Sequence, residues 1–120
     1  MADIRLGVIG LGSMGRHHTR VARETPGVEL AAVADPSGDR FGAARDMTVL
    51  PDVDALIAAG IDAAIVAVPT GEHEAVALAL AEAGVHTMVE KPIADTSAAG
   101  ERVAAAFEEA GLIGVVGYVE

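Results

Sequence analysis

The chain contains no cysteine, and this excludes a disulfide framework, a cysteine-ligated metal site and thiol chemistry. Aromatic residues make up only 2% of its 120 residues, whereas hydrophobic residues make up 52%. The core must therefore be filled by Ala, Val, Leu and Ile. No apolar run approaches the roughly 20 residues of a membrane-spanning helix. We expect one domain, spanning residues 1–120, with no membrane partner.

Basic residues are also scarce, and the net charge of −10 excludes nucleic acid as a partner because phosphate backbones require surplus Lys and Arg. We interpret the acidic surface as a solvated face that keeps the protein soluble. The apolar start over residues 4–11 is too short and too rich in glycine for a signal peptide. These features predict a cytoplasmic protein.

Short β-branched runs alternate with segments of helical spacing. Strands are predicted over residues 4–9, 29–34, 63–68, 85–89 and 112–116, with a weaker one at 48–50. Helices are predicted after Gly12 and over 41–45, 52–59 and 96–110. Near-continuous apolar strands that alternate with helices indicate a parallel sheet covered on both faces, an α/β fold in three αβα layers.

Local signals mark the helix ends. Thr70 and either Asp95 or Thr96 are candidate N-caps, and Gly84 and Gly111 stand where a helix ends in a left-handed residue.

In the first helix, Met14, His18, Val21 and Ala22 share the face predicted to be apolar. Because that face is apolar and His17 and His18 have no carboxylate at ligand spacing, we interpret His18 as a packed histidine and predict no metal site.

A glycine-rich motif, Gly10-Leu11-Gly12-Ser13-Met14-Gly15, lies between the first predicted strand and helix. In this context each glycine has a physical role. Gly10 allows a tight turn, Gly12 lets a pyrophosphate approach the backbone, and Gly15 lets the helix pack closely. The free N–H groups of the helix N-terminus face the phosphates.

Asp35 ends the second strand, 20 residues after Gly15. A carboxylate at this spacing accepts hydrogen bonds from the adenosine ribose hydroxyls and repels a 2′-phosphate. The glycine motif and Asp35 together predict a Rossmann-type doubly wound sheet that binds NAD rather than NADP. The alternative interpretation of Asp35 is a plain turn after the strand. Arg40 covers the adenine face or lies at the surface.

The only lysine of the chain, Lys91, lies in Glu90-Lys91-Pro92 after the fifth strand, at the sheet edge where ligands bind. Lysine offers a shiftable pKa that arginine does not, so we predict a catalytic role, the alternative being a surface lysine. Pro69 and Thr70 end the fourth strand at the same edge, although capping alone accounts for Thr70. His73 lies in the first turn of the helix that follows Thr70, where it either contacts the edge of the cofactor or has only a structural role.

Together these motifs resemble the Gfo/Idh/MocA family of oxidoreductases. The resemblance is carried by the glycine motif with His18, by Ala34-Asp35-Pro36, by Val68-Pro69-Thr70 with His73 and, most specifically, by Glu90-Lys91-Pro92. It implies hydride transfer between a nicotinamide and a secondary alcohol of a sugar, a cyclitol or a related small molecule. Lys91 would bind the reacting oxygen and shuttle its proton.

The resemblance also assigns supporting roles. Glu90 and Pro92 would hold Lys91, the residues between the glycines (Leu11, Ser13 and Met14) would line the pyrophosphate, and Pro69 and Thr70 would line the adenosine side. Family enzymes carry a second domain with the substrate pocket and usually a catalytic histidine. The chain stops at Glu120, so we expect a fragment that binds NAD and turns over little. The full-length protein is expected to be a homo-oligomer.

Two other functions stay open on the residues alone. One is a non-catalytic NAD(H)-binding module that senses redox state through a partner, and Lys91 counts weakly against it. The other is a methyltransferase, which also has a glycine-rich loop and an acidic residue after the second strand. Gly15 and Glu90-Lys91-Pro92 count against that reading.

Overall fold

The apolar runs of the sequence form the strands of one sheet. The structure, a computed structural model, describes residues 3–90 and 96–117. The elements are β1 (Ile4–Ile9), α1 (Ser13–Glu24), β2 (Val28–Ala34), β3 (Val49–Leu50), α2 (Val53–Ala58), β4 (Ala63–Val66), a 3₁₀ turn (Thr70–Glu72), α3 (His73–Glu82), β5 (His86–Glu90), α4 (Ser97–Ala110) and β6 (Gly114–Gly117). The predicted strands all form, with ends that differ by one or two residues.

The strand order is β3-β2-β1-β4-β5-β6, and each described neighbour pair is parallel. From the central strand β1, β2 and β3 lie in order on one side, and β4, β5 and β6 lie in order on the other. The order therefore reverses between β1 and β4, which is the switch point of a doubly wound sheet. This confirms the predicted Rossmann-type α/β fold and places the carboxyl ends of β1 and β4 side by side.

Three helices cover one face of the sheet. Leu56 of α2, Leu80 of α3 and Phe107 of α4 belong to one buried cluster with the strand residues Val66 and Val89. Aliphatic side chains from alternate strand positions fill this layer, as the low aromatic content requires. This face carries most of the buried apolar surface of the described residues.

The opposite face is only partly covered. Beneath α1 and the segment after β2, a small cluster is formed by Val8, Leu11, Val33, Ala43 and Ala44. Toward β5 and β6 the same face is an apolar hollow, and none of the described helices lies over it. Its large apolar side chains are those of Ile4, Leu6, Ile65, Met88 and Ile113.

The buried face of α1 overlaps the predicted one only in part, since Ala22 is buried and the His18 side chain is only 13% exposed, as predicted. Gly15, Thr19 and Ala22 point inward, whereas Val21 is 43% exposed. Thr19 is fully buried because its hydroxyl donates to the carbonyl oxygen of Arg16 at 2.8 Å. A polar residue whose hydroxyl is satisfied inside its own helix can therefore occupy an apolar position.

The helix predicted over residues 41–45 is absent, and turns take its place. The carboxylate of Asp39 accepts hydrogen bonds from the N–H groups of Ala43 and Ala44, at 2.8 and 2.9 Å. Arg45 then adopts φ = 53°, a left-handed conformation that no α-helix contains. Side-chain competition for backbone donors explains why a helical pattern does not form a helix here.

Two helix ends differ from each other in how well they were predicted. Thr96 caps α4 by accepting from the N–H of Ala99 at 3.0 Å, and Gly111 ends the helix at φ = 68°. Thr70 does not cap α3, since it begins the 3₁₀ turn and α3 begins at His73 without a side-chain cap. Gly84 has the expected left-handed conformation.

None of the helices that the structure describes has the length and apolar content to cross a bilayer.

Candidate cofactor site

The glycine loop connects β1 to α1 at the switch point. Gly10 has φ = 97°, and a Cβ there would lie 2.5 Å from the backbone of Ala67 on the neighbouring strand connection. A Cβ on Gly15 would lie 1.7 Å from the carbonyl oxygen of Gly10. Both positions therefore require glycine, one for the turn and one for the close approach of the helix.

Gly12 has a different environment. Apart from its chain neighbours, no atom of the described residues lies within 4 Å of where its Cβ would be, so the bare backbone at the start of α1 faces open space. Gly12 caps α1 without a side-chain hydrogen bond. Gly12, Ser13 and Met14 line the cavity, and no side chain among the described residues caps the start of α1, at the positive end of the helix dipole. Such a helix start is suited to an anionic group.

Asp35 directly follows β2 and holds the loop from the other side. Its Oδ2 accepts from the N–H of Leu11 at 2.7 Å, and its Oδ1 accepts from the N–H of Ser37 at 2.8 Å. These two bonds fix the plane of the carboxylate. Because each carboxylate oxygen has two lone pairs, each can accept a further hydrogen bond from a ligand. The sequence pattern indicated the carboxylate but not its bond to Leu11.

A cavity of about 430 Å³ runs between the loop and the ends of β2 and β4. Eight of the predicted cofactor-binding residues line it: Gly10, Leu11, Gly12, Ser13, Met14, Asp35, Arg40 and Pro69. Residues that sequence reasoning missed also line it: Pro36, Ser37, Gly38, Phe41, Ala67, Val68 and Glu72. Pro36-Ser37-Gly38 is a turn signature directly after Asp35, so it was the available signal for this wall.

The far wall of the cavity is stiffened by an arginine on an aromatic ring. The guanidinium carbon of Arg16 lies 4.5 Å from the centroid of the Phe41 ring, a cation–π arrangement. This contact joins α1 to the segment after β2. Arg40, the neighbour of Phe41, is exposed and lines the cavity.

The remaining predicted residues lie elsewhere. Gly15 and Thr70 directly follow Met14 and Pro69, which line the cavity, but do not line it themselves. His73 is 2% exposed, and its Nε2 lies 2.7 Å from the carbonyl oxygen of Val68. This placement favours a role in supporting the end of β4, and a direct contact between His73 and a cofactor stays a prediction.

Glu90 ends β5 and does not line the cavity either. Its Oε1 is hydrogen-bonded to Nε2 of His18 on α1. His18 is thus packed, as predicted, but against a carboxylate rather than among apolar side chains. Lys91 and Pro92 lie outside the described residues. Within residues 3–90 and 96–117, no three His, Asp or Glu side chains are grouped so as to hold a metal ion.

Comparison with known proteins gives a family and several relatives. A family model described as an oxidoreductase family with an NAD-binding Rossmann fold, GFO_IDH_MocA, matches residues 4–118. UDP-N-acetylglucosamine 3-dehydrogenase of Acidithiobacillus ferrooxidans is 36% identical over 100% of the chain, which covers 38% of that protein. Inositol 2-dehydrogenase of Corynebacterium glutamicum strain R is 33% identical over 84% of the chain and 32% of its own length.

A solved structure agrees with these relatives. GenD2 from gentamicin A biosynthesis, determined in complex with NAD, superposes with a TM-score of 0.88 at 30% sequence identity. The match covers 98% of this chain and 35% of GenD2. The chain therefore spans 32–38% of the length of the three proteins it is compared with here.

Proposed function

Because the chain belongs to the Gfo/Idh/MocA oxidoreductase family and forms its NAD-binding Rossmann domain, we propose that it is the cofactor-binding part of an NAD-dependent dehydrogenase. The observation that carries this proposal is the cavity itself. It joins bare backbone donors at the start of α1 to an oriented carboxylate at the end of β2. These are the groups that a pyrophosphate and a ribose diol need.

The residues present fit a dinucleotide. The N–H groups after Gly12 would hold the pyrophosphate, with Leu11, Ser13 and Met14 beside it. Asp35 would accept the ribose hydroxyls, and Arg40 would cover the adenine. The carboxylate of Asp35 is held at the adenosine side by two backbone donors, so a 2′-phosphate would meet a fixed negative charge. This supports NAD over NADP as the cofactor.

We assign the chemical step to Lys91 on its sequence position after β5. Bound NAD would supply the hydride acceptor for the substrate carbon. Lys91, as the neutral amine, would bind the hydroxyl of that carbon and take its proton, so the alcohol would become a carbonyl and the positive charge would pass to the lysine. Glu90 and Pro92 would hold Lys91 in place.

The substrate is a secondary alcohol on a sugar, a cyclitol or a related small molecule. The names of the relatives, which include a UDP-N-acetylglucosamine dehydrogenase and inositol dehydrogenases, support this class. The substrate pocket belongs to a further domain of the full-length protein, which we expect to be cytoplasmic and homo-oligomeric. The 120-residue chain alone should bind NAD without turnover. NAD reduction by this chain that depends on added inositol or UDP-N-acetylglucosamine would contradict that.

Titration calorimetry with NAD and with NADP tests the cofactor assignment. The wild-type chain should bind NAD at least about tenfold more tightly, which corresponds to about 1.4 kcal/mol. Asp35→Asn removes the charge and keeps the size, so the preference should fall to near unity. Asp54→Asn, the same change in the first turn of α2, should leave both affinities unchanged. Tighter binding of NADP by the wild-type chain would refute the role of Asp35.

A further inference from the structure

One contact joins α1 to the end of β5 across the sheet. His18 lies in the second turn of α1, Glu90 is the last residue of β5, and 72 positions separate them in sequence. Their side chains are only 13% and 12% exposed. An ionised carboxylate only accepts hydrogen bonds, so Nε2 of His18 is the donor of this contact when Glu90 is a carboxylate.

The direction of Glu90 follows from the alternation of the strand. Val89 is 2% exposed and belongs to the cluster beneath α3 and α4. Glu90 therefore faces the opposite side of the sheet, where α1 lies. A carboxylate with so little access to water is costly unless a partner compensates it. His18 is the only side chain that the described residues supply as a hydrogen-bond partner.

This contact and a second side-chain hydrogen bond hold the glycine loop and its helix from opposite sides. On the β2 side, the N–H of Leu11 is bonded to Asp35. On the β5 side, His18 is bonded to Glu90. A dinucleotide at the switch point lies across both sides, with its adenosine near the end of β2 and its nicotinamide toward the later strands.

We propose that His18 is a positioning residue for the nicotinamide half of the site. Through Glu90 it sets the distance between α1, where the pyrophosphate binds, and the end of β5, from which the sequence continues into Lys91. The inference rests on the proposed function. It differs from a purely structural role because it acts on one half of the cofactor, whereas the bond from Leu11 to Asp35 secures the other half.

The test compares two ligands on the 120-residue chain. NAD spans both halves of the site, and ADP-ribose lacks the nicotinamide. His18→Leu keeps the approximate size and removes the donor, so NAD affinity should fall about fivefold to tenfold while ADP-ribose affinity changes less than about twofold. His18→Gln places an amide donor near the position of Nε2 and should restore most of the NAD affinity.

The matched control is His17→Leu, because His17 is exposed, its Nδ1 lies 3.0 Å from the guanidinium of Arg20, and its ring meets the ring of His18 edge to face at 5.8 Å, so the change leaves the bond from His18 to Glu90 in place. It should change neither affinity. If His18→Leu does not fold, Glu90→Gln replaces it, since it keeps the shape and weakens the same contact, and it should selectively weaken NAD.

The outcomes separate the two proposals. Equal losses for NAD and ADP-ribose in His18→Leu, or no loss for either, would overturn the positioning role and leave the proposed function intact. Failure of His18→Gln to restore NAD binding would also overturn it, since the donor would not be what matters. A wild-type chain that binds neither ligand would contradict the proposed function and this inference with it.

Discussion

On one face of the sheet, three helices enclose a cluster of fifteen buried apolar residues, whereas the cluster beneath α1 on the other face has five. The closed face contains the large aliphatic contacts. Among its described residues, Val68 of the buried cluster and Glu72, the N-cap of α3, also line the cofactor cavity. The α1 face contains the glycine loop, Asp35 and the contact from His18 to Glu90. We therefore expect stability and cofactor binding to depend mainly on opposite faces, and variants can separate them.

Leu80→Ala should have the largest effect on stability. Leu80 is fully buried in α3 on the closed face, so its truncation should cost between about 2 and 5 kcal/mol of unfolding free energy. Denaturant unfolding measures this. NAD affinity of the folded fraction should be unchanged, and a large loss of affinity would show that the two faces are not independent.

Gly15→Ala should affect both properties. Its new Cβ would lie 1.7 Å from the carbonyl oxygen of Gly10, so α1 must move, at a cost of about 1–3 kcal/mol. NAD binding should be lost because the helix start moves with it.

The matched control for Gly15→Ala is Gly12→Ala. A Cβ at Gly12 meets no atom of the described residues within 4 Å apart from its chain neighbours, so the unfolding free energy should fall by less than in Gly15→Ala, through the poorer helix cap alone. NAD should still bind more weakly, because the methyl group occupies the space where the pyrophosphate approaches. If Gly12→Ala destabilised the protein as much as Gly15→Ala, the geometric explanation would be wrong.

Ile113→Ala tests the open part of the α1 face. Ile113 is 63% exposed beside the apolar hollow, and surface truncations of this kind usually change the unfolding free energy by less than about 0.5 kcal/mol. Thermal unfolding of Ile113→Ala and Leu80→Ala under the same conditions compares the contributions of the two faces to stability. A loss as large as that of Leu80→Ala would mean that the hollow is covered in solution.

Glu74→Gln should have the smallest effect, and it depends on pH. The hydrogen bond from Arg102 lowers the pKa of Glu74, and the same bond raises the pKa of Arg102. Since the folded pKa of Glu74 lies below the unfolded one, the contribution to stability is present above about pH 4.3 and is lost as the pH falls through the folded pKa. The variant should be slightly less stable than the wild type at pH 7 and equal to it in strong acid. A difference that persisted in strong acid would point to lost packing instead.

The sequence predicted what depends on local pattern. The strands, the glycine loop and Asp35 were found because periodicity and spacing along the chain define them. The helix predicted over residues 41–45 was wrong because the carboxylate of Asp39 binds the backbone N–H groups of this segment. The spacing of apolar residues gives no sign of such side-chain bonds. The buried face of α1 was predicted only in part, because Thr19 satisfies its hydroxyl within its own helix and so takes a buried position.

Contacts between elements that are distant in the chain could not be predicted from the sequence. The bond from His18 to Glu90 depends on the register of β5 and on the position of α1, and no spacing rule connects residues 72 positions apart. The bond from Leu11 to Asp35 depends in the same way on how β1 and β2 pair. Both contacts arise only after the sheet is assembled.

The most direct test of the central claim is to map NAD onto the chain by amide chemical shifts, which a 12.1 kDa protein permits. NAD should shift or broaden the amides of Gly12, Ser13 and Gly38 around the cavity. It should leave those of Ala99 and Gly111, on the closed face, unchanged. Shifts concentrated on the closed face, or none at saturating NAD, would contradict the claim that the glycine loop and Asp35 form the cofactor site.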